Sequence, residues 1–346
     1  MADVAQAVVD AHIHQWNPFT TPRVVSGPAK LIRRAPFTRP VLTRVFPRAA
    51  RDFAGDPQYL LDNYLPHDYA ADSAPAHVGT VVHIEAGWQG KDPFDAVDET
   101  RWVAALPFGA DGAPELGAIV VHANPSDPQV GDVLDAHLAA SPLVRGVRFV
   151  AAHSPDRGIL DFAKRPNELS EPAFIRGFAA VAERSLSFEI WVYAHDLPGA
   201  VKLVREYPDT TFVLDHYATP IGALAPCGRH TGASAADRRE ILARWRHDID
   251  GLAALPNVVA KHSGLGMPVL GLGRLPREQY RDAVAPLVLH LDQAFGPDRT
   301  LWSSNYPIDK PNIDLPDAIW ALRQILGDRF DERLMLQDNA RRVYRI

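Results

Sequence analysis

Eight short runs rich in apolar and β-branched residues recur along the 346-residue chain, and helical patterns separate them. Strands that alternate with helices are typical of parallel βα units, and eight such units close a (β/α)8 barrel. We therefore predict the α/β class and a TIM barrel. The predicted strands are Ala7–His14, Gly79–Gly87, Leu116–Ala123, Val144–Ala151, Ser187–Ala194, Thr211–Tyr217, Asn257–Ser263 and Thr300–Ser304.

The segments between the predicted strands carry apolar residues at helical spacing. The sequence "LPGAVKLVREYPD" predicts a helix that stops at Pro208, and longer amphipathic patterns cover Ser234–Leu255 and Arg277–Phe295. The terminal "DERLMLQDNARRVYRI" predicts a closing helix. One barrel accommodates all of these elements, so we predict a single domain over residues 1–346.

The segment that follows the first strand interrupts this alternation. Residues 17–66 are rich in proline, and the stretch from Arg23 to Arg51 carries eight basic residues and no acidic one. An insertion after a barrel strand emerges at the carboxyl end of the strands, where TIM-barrel active sites are built. Two interpretations stay open: a solvated or subunit-contacting excursion, or a lid whose positive field attracts an anionic substrate.

Charge and composition exclude several classes of partner. The formal net charge of -6 gives no reason to expect binding to nucleic acid or to a membrane. No targeting segment and no long uninterrupted apolar stretch is recognisable, so we expect a cytoplasmic protein. The single cysteine, Cys227, allows no intrachain disulfide. The spacing of apolar residues leaves open whether some helices face a second copy in a homo-oligomer.

Two histidines close the first strand, in the sequence "VVDAHIHQW". Successive strand residues point to opposite faces, so His12 and His14 share a face and can converge on one point. Two neutral imidazoles in this arrangement can bind a divalent metal, with His195 or His216 as a third ligand. The alternative for each histidine taken singly is a structural residue of the core.

Further polar residues lie at or near the predicted carboxyl ends of other strands, where a TIM barrel carries its chemistry. The residues selected by this criterion are Glu85, Arg148, His195, His216, Lys261, Ser263 and Asn305. The aromatic residues Trp16 and Tyr306 can wall a substrate pocket, although ordinary packing is the alternative. Strand alternation turns Asp215 away from the face of His216, which predicts a structural role for this aspartate.

Several segments together resemble the amidohydrolase superfamily, and most closely its amidohydrolase-2 group, which includes fuconolactonase-like and pyrone dicarboxylate lactonase-like enzymes. They are "DAHIHQW", "YLPHDYAAD", "GVRFV", "FVLDHYATP", "NVVAKHSGLG" and "DNARRVYRI". The resemblance spans nearly the whole chain in order. It implies a distorted TIM barrel that hydrolyses carbon–oxygen or carbon–nitrogen bonds, with some relatives acting as decarboxylases.

The resemblance also implies roles for individual residues. It makes His12 and His14 the first-strand pair, which binds metal in some members and polarises a lactone carbonyl without metal in others. His216 matches the sixth-strand histidine, and Arg148 matches an arginine that helps to hold a substrate carboxylate, a role that suits the guanidinium fork. Lys261 matches the lysine of a K-x-S-G pattern. The fifth-strand position of His195 varies within the group.

One position departs from the family pattern. Relatives read as Ser-Asp-Trp-Pro after the eighth strand, whereas "WSSNYP" places Asn305 where the aspartate stands. An amide orients water but cannot accept its proton as a general base. Asp309, His195 or His216 can take over as base, or the barrel has abandoned hydrolysis; the alternative for Asp309 is a helix cap. Loss of the carboxylate also leaves open whether a divalent metal, zinc or manganese, is bound at all.

The sequence therefore predicts a hydrolase that opens a small lactone or related cyclic carbonyl compound, with an anionic, carboxylate-bearing substrate as its partner. The catalytic candidates are His12, His14, His195, His216, Asn305 and Asp309, and the metal candidates are His12, His14 and His195. The substrate-binding candidates are Arg148, Lys261, Trp16, Glu85 and Tyr306. The alternatives are a metal-dependent decarboxylase of an aromatic acid and a non-catalytic metabolite-binding protein.

Overall fold

A computed structural model describes residues 7–44 and 46–346, and it confirms the predicted barrel. Eight parallel strands follow one another around a single sheet in the order β1 to β8. The strands are β1 Val8–Ile13, β2 Val78–Ile84, β3 Glu115–His122, β4 Val144–Val150, β5 Ser187–Trp191, β6 Phe212–Leu214, β7 Val258–His262 and β8 Thr300–Trp302.

Helices occupy the connections between the strands, as the spacing of apolar residues predicts. Ser234 caps one of the longest: its hydroxyl accepts a hydrogen bond from the backbone N–H of Asp237, and the Asp237 carboxylate accepts one from the Ser234 N–H. The α-helices are α1 Ser26–Arg34, α2 Arg39–Arg44, α3 Arg48–Ala54, α4 Pro66–Ser73, α5 Ala96–Ala104, α6 Val130–Ala140, α7 Pro172–Gly177, α8 Ala179–Glu183, α9 Leu197–Glu206, α10 Ala235–Ala253, α11 Arg277–Phe295, α12 Leu315–Leu326 and α13 Asn339–Tyr344. None of the helices in the described part of the chain has the length and apolar content that a membrane span requires.

The strands bury both faces, which explains why they read as apolar runs. Alternate residues pack outward against the helices or inward within the barrel. One hydrophobic core combines residues of the barrel strands with Tyr344 of α13, so the last helix packs against the strands. That core comprises Val9, Ala11, Val82, Ile84, Ala118, Val120, Val213, Val259, Leu301, Ala340, Val343 and Tyr344.

The seam between β8 and β1 is the weakest joint of the barrel, because the two strands share no regular ladder. Two backbone bonds cross it just beyond the strands, from Asn305 N–H to the His12 carbonyl and from His14 N–H to the Tyr306 carbonyl. The buried carboxylate of Asp10 adds a third link, since one oxygen accepts the Ser304 N–H at 2.9 Å. Its other oxygen accepts the Tyr69 hydroxyl at 2.7 Å and so ties in helix α4.

The insertion after β1 is joined at its base and lies over the carboxyl ends of the strands. Paired backbone hydrogen bonds between Trp16 and Tyr64 close its neck. Phe53 of α3 packs against Trp191, the last residue of β5, with ring centroids 6.0 Å apart. The insertion therefore covers the end of the barrel at which TIM-barrel active sites lie.

Replacing Asp10 with alanine tests the seam. The change leaves three buried donors, the His12 N–H, the Ser304 N–H and the Tyr69 hydroxyl, without this acceptor, and each such loss costs about 1–3 kcal/mol. We expect the free energy of unfolding of Asp10→Ala to fall by about 2–5 kcal/mol in denaturant titrations. Asp98→Ala, at an exposed position of α5, is the control and should change it by less than about 1 kcal/mol. Equal effects of the two substitutions would contradict this account of the seam.

Candidate active site

A cluster of buried polar side chains fills the carboxyl end of the barrel. It brings together both first-strand histidines, the β4 arginine, the β7 lysine and His216 after β6, as the sequence predicts. It also contains Asp215, which strand alternation predicted to turn away, and a glutamate of β5 that the sequence did not indicate. The members are His12, His14, Glu85, Arg148, Glu189, Asp215, His216 and Lys261, and each is no more than 5% exposed.

The first-strand histidines face each other, with their Nε2 atoms 3.2 Å apart. The His14 Nδ1 lies 2.9 Å from the Ile84 carbonyl oxygen, which can only accept, so Nδ1 carries the proton of His14. The His12 Nδ1 lies 3.1 Å from the Lys261 ammonium, which can only donate, and 3.3 Å from Asp215 Oδ1, which can only accept, so these two neighbours favour opposite tautomers of His12. Burial lowers the pKa of both imidazoles well below the usual range, so both are neutral at pH 7.

Lys261 is the centre of the charged cluster. Its ammonium donates to Glu189 and lies 3.0 Å from Asp215 Oδ1. Burial and the neighbouring Asp215 charge raise the pKa of Glu189 to about 8, although Lys261 opposes the shift. Burial also acts to raise the pKa of Asp215, but Lys261 and His12 hold it well below its usual value. The Tyr344 hydroxyl donates to Glu189 at 2.5 Å and so ties the closing helix to the cluster.

The predicted orientation of Asp215 is wrong. The strand ends at Leu214, two residues earlier than His216, and His216 has a left-handed backbone with φ of 52°. Strand alternation therefore does not apply beyond Leu214, and Asp215 and His216 each offer a ligand atom to one group with His12. Asp215 is part of the site, 3.3 Å from His12 Nδ1, and it also forms ion pairs with Lys261 and Arg148, in agreement with the predicted structural role.

His216 is held from strand β7 and from the turn that follows it. Its Nδ1 lies 2.8 Å from the Ser263 hydroxyl, and its ring centroid is 4.5 Å from that of His12. Gly264, with φ of +73°, passes so close that a Cβ there would lie 2.5 Å from the His216 Cβ. Burial lowers the pKa of His216 to about 3, so this imidazole is a weak base.

Arg148, predicted to bind a substrate carboxylate, is engaged within the protein. Its Nε donates to Glu85 Oε1 at 2.8 Å, and its Nη2 donates to the Glu85 carbonyl at 2.8 Å. Its Nη1 lies 3.6 Å from Asp215 Oδ2. Burial acts to raise the pKa of Glu85, but the Arg148 guanidinium and His122 lower it to about 2. The guanidinium fork thus already grips a carboxylate, that of Glu85.

Asp309 pairs directly with the asparagine that departs from the family pattern. Asn305 Nδ2 donates to Asp309 Oδ1 at 2.7 Å, and the Gly266 N–H donates to Asp309 Oδ2 at 2.9 Å. Burial raises the pKa of Asp309 to about 7. The helix that follows begins after Asp314, so Asp309 is not the helix cap that the alternative interpretation required. A carboxylate that titrates near neutrality stands beside Asn305.

The remaining predicted residues lie around this cluster. His195 belongs to a separate group with His153 and Asp196, whose ligand atoms also lie within 4.8 Å of one another. The His195 Nε2 is 2.7 Å from the His153 carbonyl, so it donates there. Tyr306 is buried and donates its hydroxyl to the Ile313 carbonyl, and Trp16 donates its indole N–H to the Asp62 carbonyl.

Glu189 of the cluster and its hydrogen-bond partner Tyr344 were not predicted as site residues, and the two differ in the strength of their sequence signal. Glu189 is the one acidic residue of the buried strand "SFEIW", and its parity places it inside the barrel next to Arg148 of the neighbouring strand. A charged residue within a buried strand is rare unless it is paired, so Glu189 could have been recognised from the sequence as the partner of another buried charge. Tyr344 carries no such signal, since its contact depends on where the last helix docks.

The spacing and chemistry of three cluster members fit a divalent metal. His12, Asp215 and His216 each offer one ligand atom, and these atoms lie within 4.8 Å of one another. Both carboxylate oxygens of Asp215 are buried, and neither accepts a well-aligned hydrogen bond from the described residues. Imidazole and carboxylate together suit zinc and other first-row metals. A metal bound to Asp215 competes with the Lys261 ammonium.

Comparison with known proteins agrees with this geometry. A family model described as Amidohydrolase matches residues 9–346. A relative from Sinorhizobium fredii, "Uncharacterized protein y4mH", is 30% identical over 351 residues that cover 100% of each chain. The L-fucono-1,5-lactonase of Burkholderia multivorans is 33% identical over 135 residues, which cover 39% of this chain and 42% of the lactonase.

A solved structure shares the same fold. The crystal structure of an amidohydrolase from Burkholderia multivorans with bound zinc matches with a TM-score of 0.70 and 19% identity. The match covers 98% of this chain and 99% of that one.

The raised pKa of Asp309 predicts a pH-dependent stability. Its pKa is about 7 in the folded state and 3.8 when unperturbed, so the folded state binds the proton more tightly between these values. The stabilising contribution is complete below pH 3.8 and is lost as the pH rises through 7. Between pH 5 and 7, we expect wild type to lose about 2 kcal/mol of unfolding free energy relative to Asp309→Asn, given about 1.4 kcal/mol per pH unit.

Denaturant titrations of both proteins at pH 5, 6 and 7 measure this difference. Asp328→Asn, at an exposed position, is the matched control and should follow wild type across the range. A gap between wild type and Asp309→Asn that does not change with pH would show that Asp309 keeps an ordinary pKa.

Proposed function

Because this chain belongs to the amidohydrolase family over residues 9–346, we propose that it is a hydrolase that opens a small lactone or related cyclic carbonyl compound. The observation that carries the proposal is Asp309, a buried carboxylate held by Asn305 with a pKa of about 7. It supplies the proton acceptor that Asn305 cannot provide. The partial similarity to an L-fucono-1,5-lactonase supports a lactone as the substrate.

In this proposal Asp309 takes a proton from the attacking water. A general base is most effective when its pKa is near the working pH, and Asp309 meets this condition while the buried His216, with a pKa of about 3, does not. The water oxygen adds to the carbonyl carbon, the ring carbon–oxygen bond breaks, and the proton passes to the released alkoxide. Asn305 holds the carboxylate in place by donating to Oδ1.

Neutral histidines polarise the carbonyl. If the Ser263 hydroxyl donates to His216 Nδ1, the proton of His216 lies on Nε2, which can then donate to the carbonyl oxygen as negative charge develops on it. Lys261 and Arg148 add positive charge around His12, and this charge favours the same developing anion. His12 and His14 fix each other through their Nε2 contact and are positioning residues in the metal-free form.

We propose zinc or manganese as the metal, with His12, Asp215 and His216 as the residues that hold it. The zinc-bound structure of the Burkholderia multivorans amidohydrolase supports zinc. A bound divalent ion would polarise the carbonyl and lower the pKa of water. Because Lys261 lies 3.0 Å from Asp215, we expect binding weak enough for a chelator to reverse it.

The two alternative functions receive less support. Asp309 restores a carboxylate next to position 305, so Asn305 alone does not indicate a protein that has lost catalysis. The decarboxylases among the structural neighbours are 12–14% identical to this chain, a level that shows a shared fold.

Asp309→Asn tests the proposed base. Removing a positioned base typically costs 10²–10⁴-fold in rate, so we expect about a 100-fold or larger fall in kcat for lactone hydrolysis. In wild type, kcat/KM should rise with pH and level off above about 7, because Asp309 must be deprotonated. Asp328→Asn is the control, with unchanged kcat. A panel of sugar-derived and aromatic lactones on which the folded wild type shows no turnover, with or without metal, would contradict the proposal.

The metal is tested by elemental analysis together with activity. We expect purified protein dialysed against a chelator to keep only the part of its lactonase activity that the neutral histidines support, and to regain the rest with zinc or manganese. His216→Asn should lower the metal content of the undialysed protein at least several-fold, because it removes one of three ligands. Full activity after dialysis, at a metal content near zero, would assign carbonyl polarisation to the protein side chains alone.

A further inference from the structure

One basic residue of the insertion differs from the others in its surroundings. Most of the cations in this segment are exposed side chains on the outer surface: Lys30, Arg33, Arg34, Arg44, Arg48 and Arg51. Arg39 pairs with Asp62. Arg23 instead is partly buried, with its guanidinium carbon 4.8 Å from the centre of the Trp16 ring. Of the segment's eight cations, it is the one that lies against an aromatic residue at the end of β1.

The backbone of Arg23 is fixed from both sides. Its N–H donates to the Ser26 hydroxyl at 2.9 Å, and that hydroxyl donates to the Thr21 carbonyl at 2.7 Å. The carbonyl of the preceding residue, Pro22, accepts a hydrogen bond from Gln89 in the loop after β2. The side chain therefore starts from a rigid turn anchored to the barrel rim.

The Arg23 guanidinium has no carboxylate within 4 Å among the described residues. The acidic residues whose charge it feels most are Glu99 and Glu85. Both are already engaged, since Glu99 accepts the Ala86 N–H and Glu85 accepts Arg148. A partly buried guanidinium without an ionic partner is already partly removed from water. It therefore loses less hydration when an anion binds and can bind the anion strongly.

A second unpaired donor lies beside it. The Tyr59 hydroxyl is buried and has no hydrogen-bond partner in the described part of the chain. The Tyr59 ring packs against Trp16, with centroids 6.3 Å apart, on the same indole that Arg23 covers. The charges of Asp309 and Arg23 both act on the Tyr59 hydroxyl, so the proposed base and the guanidinium are both within electrostatic range of it.

We propose that Arg23 and Tyr59 form the subsite for the substrate carboxylate, with Trp16 as its wall. The inference rests on the proposed function and names its substrate class: a ring compound with a carboxylate placed away from the scissile carbonyl. The guanidinium fork grips the two carboxylate oxygens, and the phenol donates a third hydrogen bond. Arg148, which the family resemblance assigns to this role, is bound to Glu85 and instead holds the cluster together.

Equilibrium binding tests the subsite without requiring turnover. The probes are cyclohexanecarboxylate and its neutral isostere cyclohexanecarboxamide, titrated into the full-length protein by calorimetry at low salt. We expect wild type to bind the carboxylate at least tenfold more tightly than the carboxamide. Arg23→Gln should raise the Kd of the carboxylate at least tenfold and remove the discrimination, and Tyr59→Phe should raise it about threefold.

Two further variants distinguish a specific contact of Arg23 with the carboxylate from a general effect of the positive charge of the insertion. Arg34→Gln removes one exposed cation of the same insertion and should leave both Kd values unchanged. Arg23→Lys keeps the charge but loses the fork, and it should recover part of the affinity lost in Arg23→Gln. Melting temperatures show that each variant is folded.

The outcomes are distinguishable from those of the proposed reaction. Equal binding of carboxylate and carboxamide by wild type, or an unchanged carboxylate Kd in folded Arg23→Gln, overturns the subsite even if lactones are hydrolysed. Retained discrimination that depends on Arg23 supports the subsite even if every lactone tested is inert.

Discussion

The ammonium group of Lys261 is the interaction on which the rest of the site depends. It stands between Glu189 and Asp215, two carboxylates that would repel each other inside an apolar barrel if it were absent. Its charge also helps to keep His12 neutral, so the first-strand histidines are available as donors and ligands and are not fixed as cations. The closing helix joins the same network, because Tyr344 donates to Glu189. One buried charge thereby connects β5, β6, β7 and the end of the chain.

The family resemblance assigns the substrate carboxylate to Arg148, and the surroundings of Arg148 and Arg23 explain why we propose Arg23 for that role. Arg148 lies inside the barrel, where its guanidinium forms ion pairs with the carboxylates of Glu85 and Asp215. Arg23 lies at the mouth on the insertion, where no carboxylate of the described chain pairs with it. A cation that binds a substrate anion must be free of an internal carboxylate partner before the substrate arrives. Arg23 meets this condition and Arg148 does not.

Much of this arrangement could be predicted from the sequence, because period-two alternation holds wherever a strand is regular. It correctly placed His12 and His14 on one face of β1, and Lys261 and Ser263 on one side of β7, where Lys261 contacts His12 and Ser263 contacts His216. It failed at Asp215 because β6 is only three residues long and the backbone turns left-handed at His216. The pairing of Asp309 with Asn305 and the docking of Tyr344 depend on the path of a loop and of a terminal helix, and neither path has a local sequence signal.

Glu189 and Asp309, two of the buried acids with raised pKa values, illustrate why position decides chemical role. Glu189, with a pKa of about 8, accepts a hydrogen bond from Tyr344 on one oxygen and from Lys261 on the other, so both of its oxygens are engaged within the protein. Asp309, with a pKa of about 7, accepts hydrogen bonds from uncharged donors, the Asn305 amide and the backbone N–H groups of Gly264 and Gly266, and its charge acts on Tyr59 of the insertion. An asparagine at position 305 then has a physical reason: an aspartate there would place a second negative charge against Asp309 at hydrogen-bond distance. The amide supplies a donor, so the carboxylate four residues later can ionise near neutral pH.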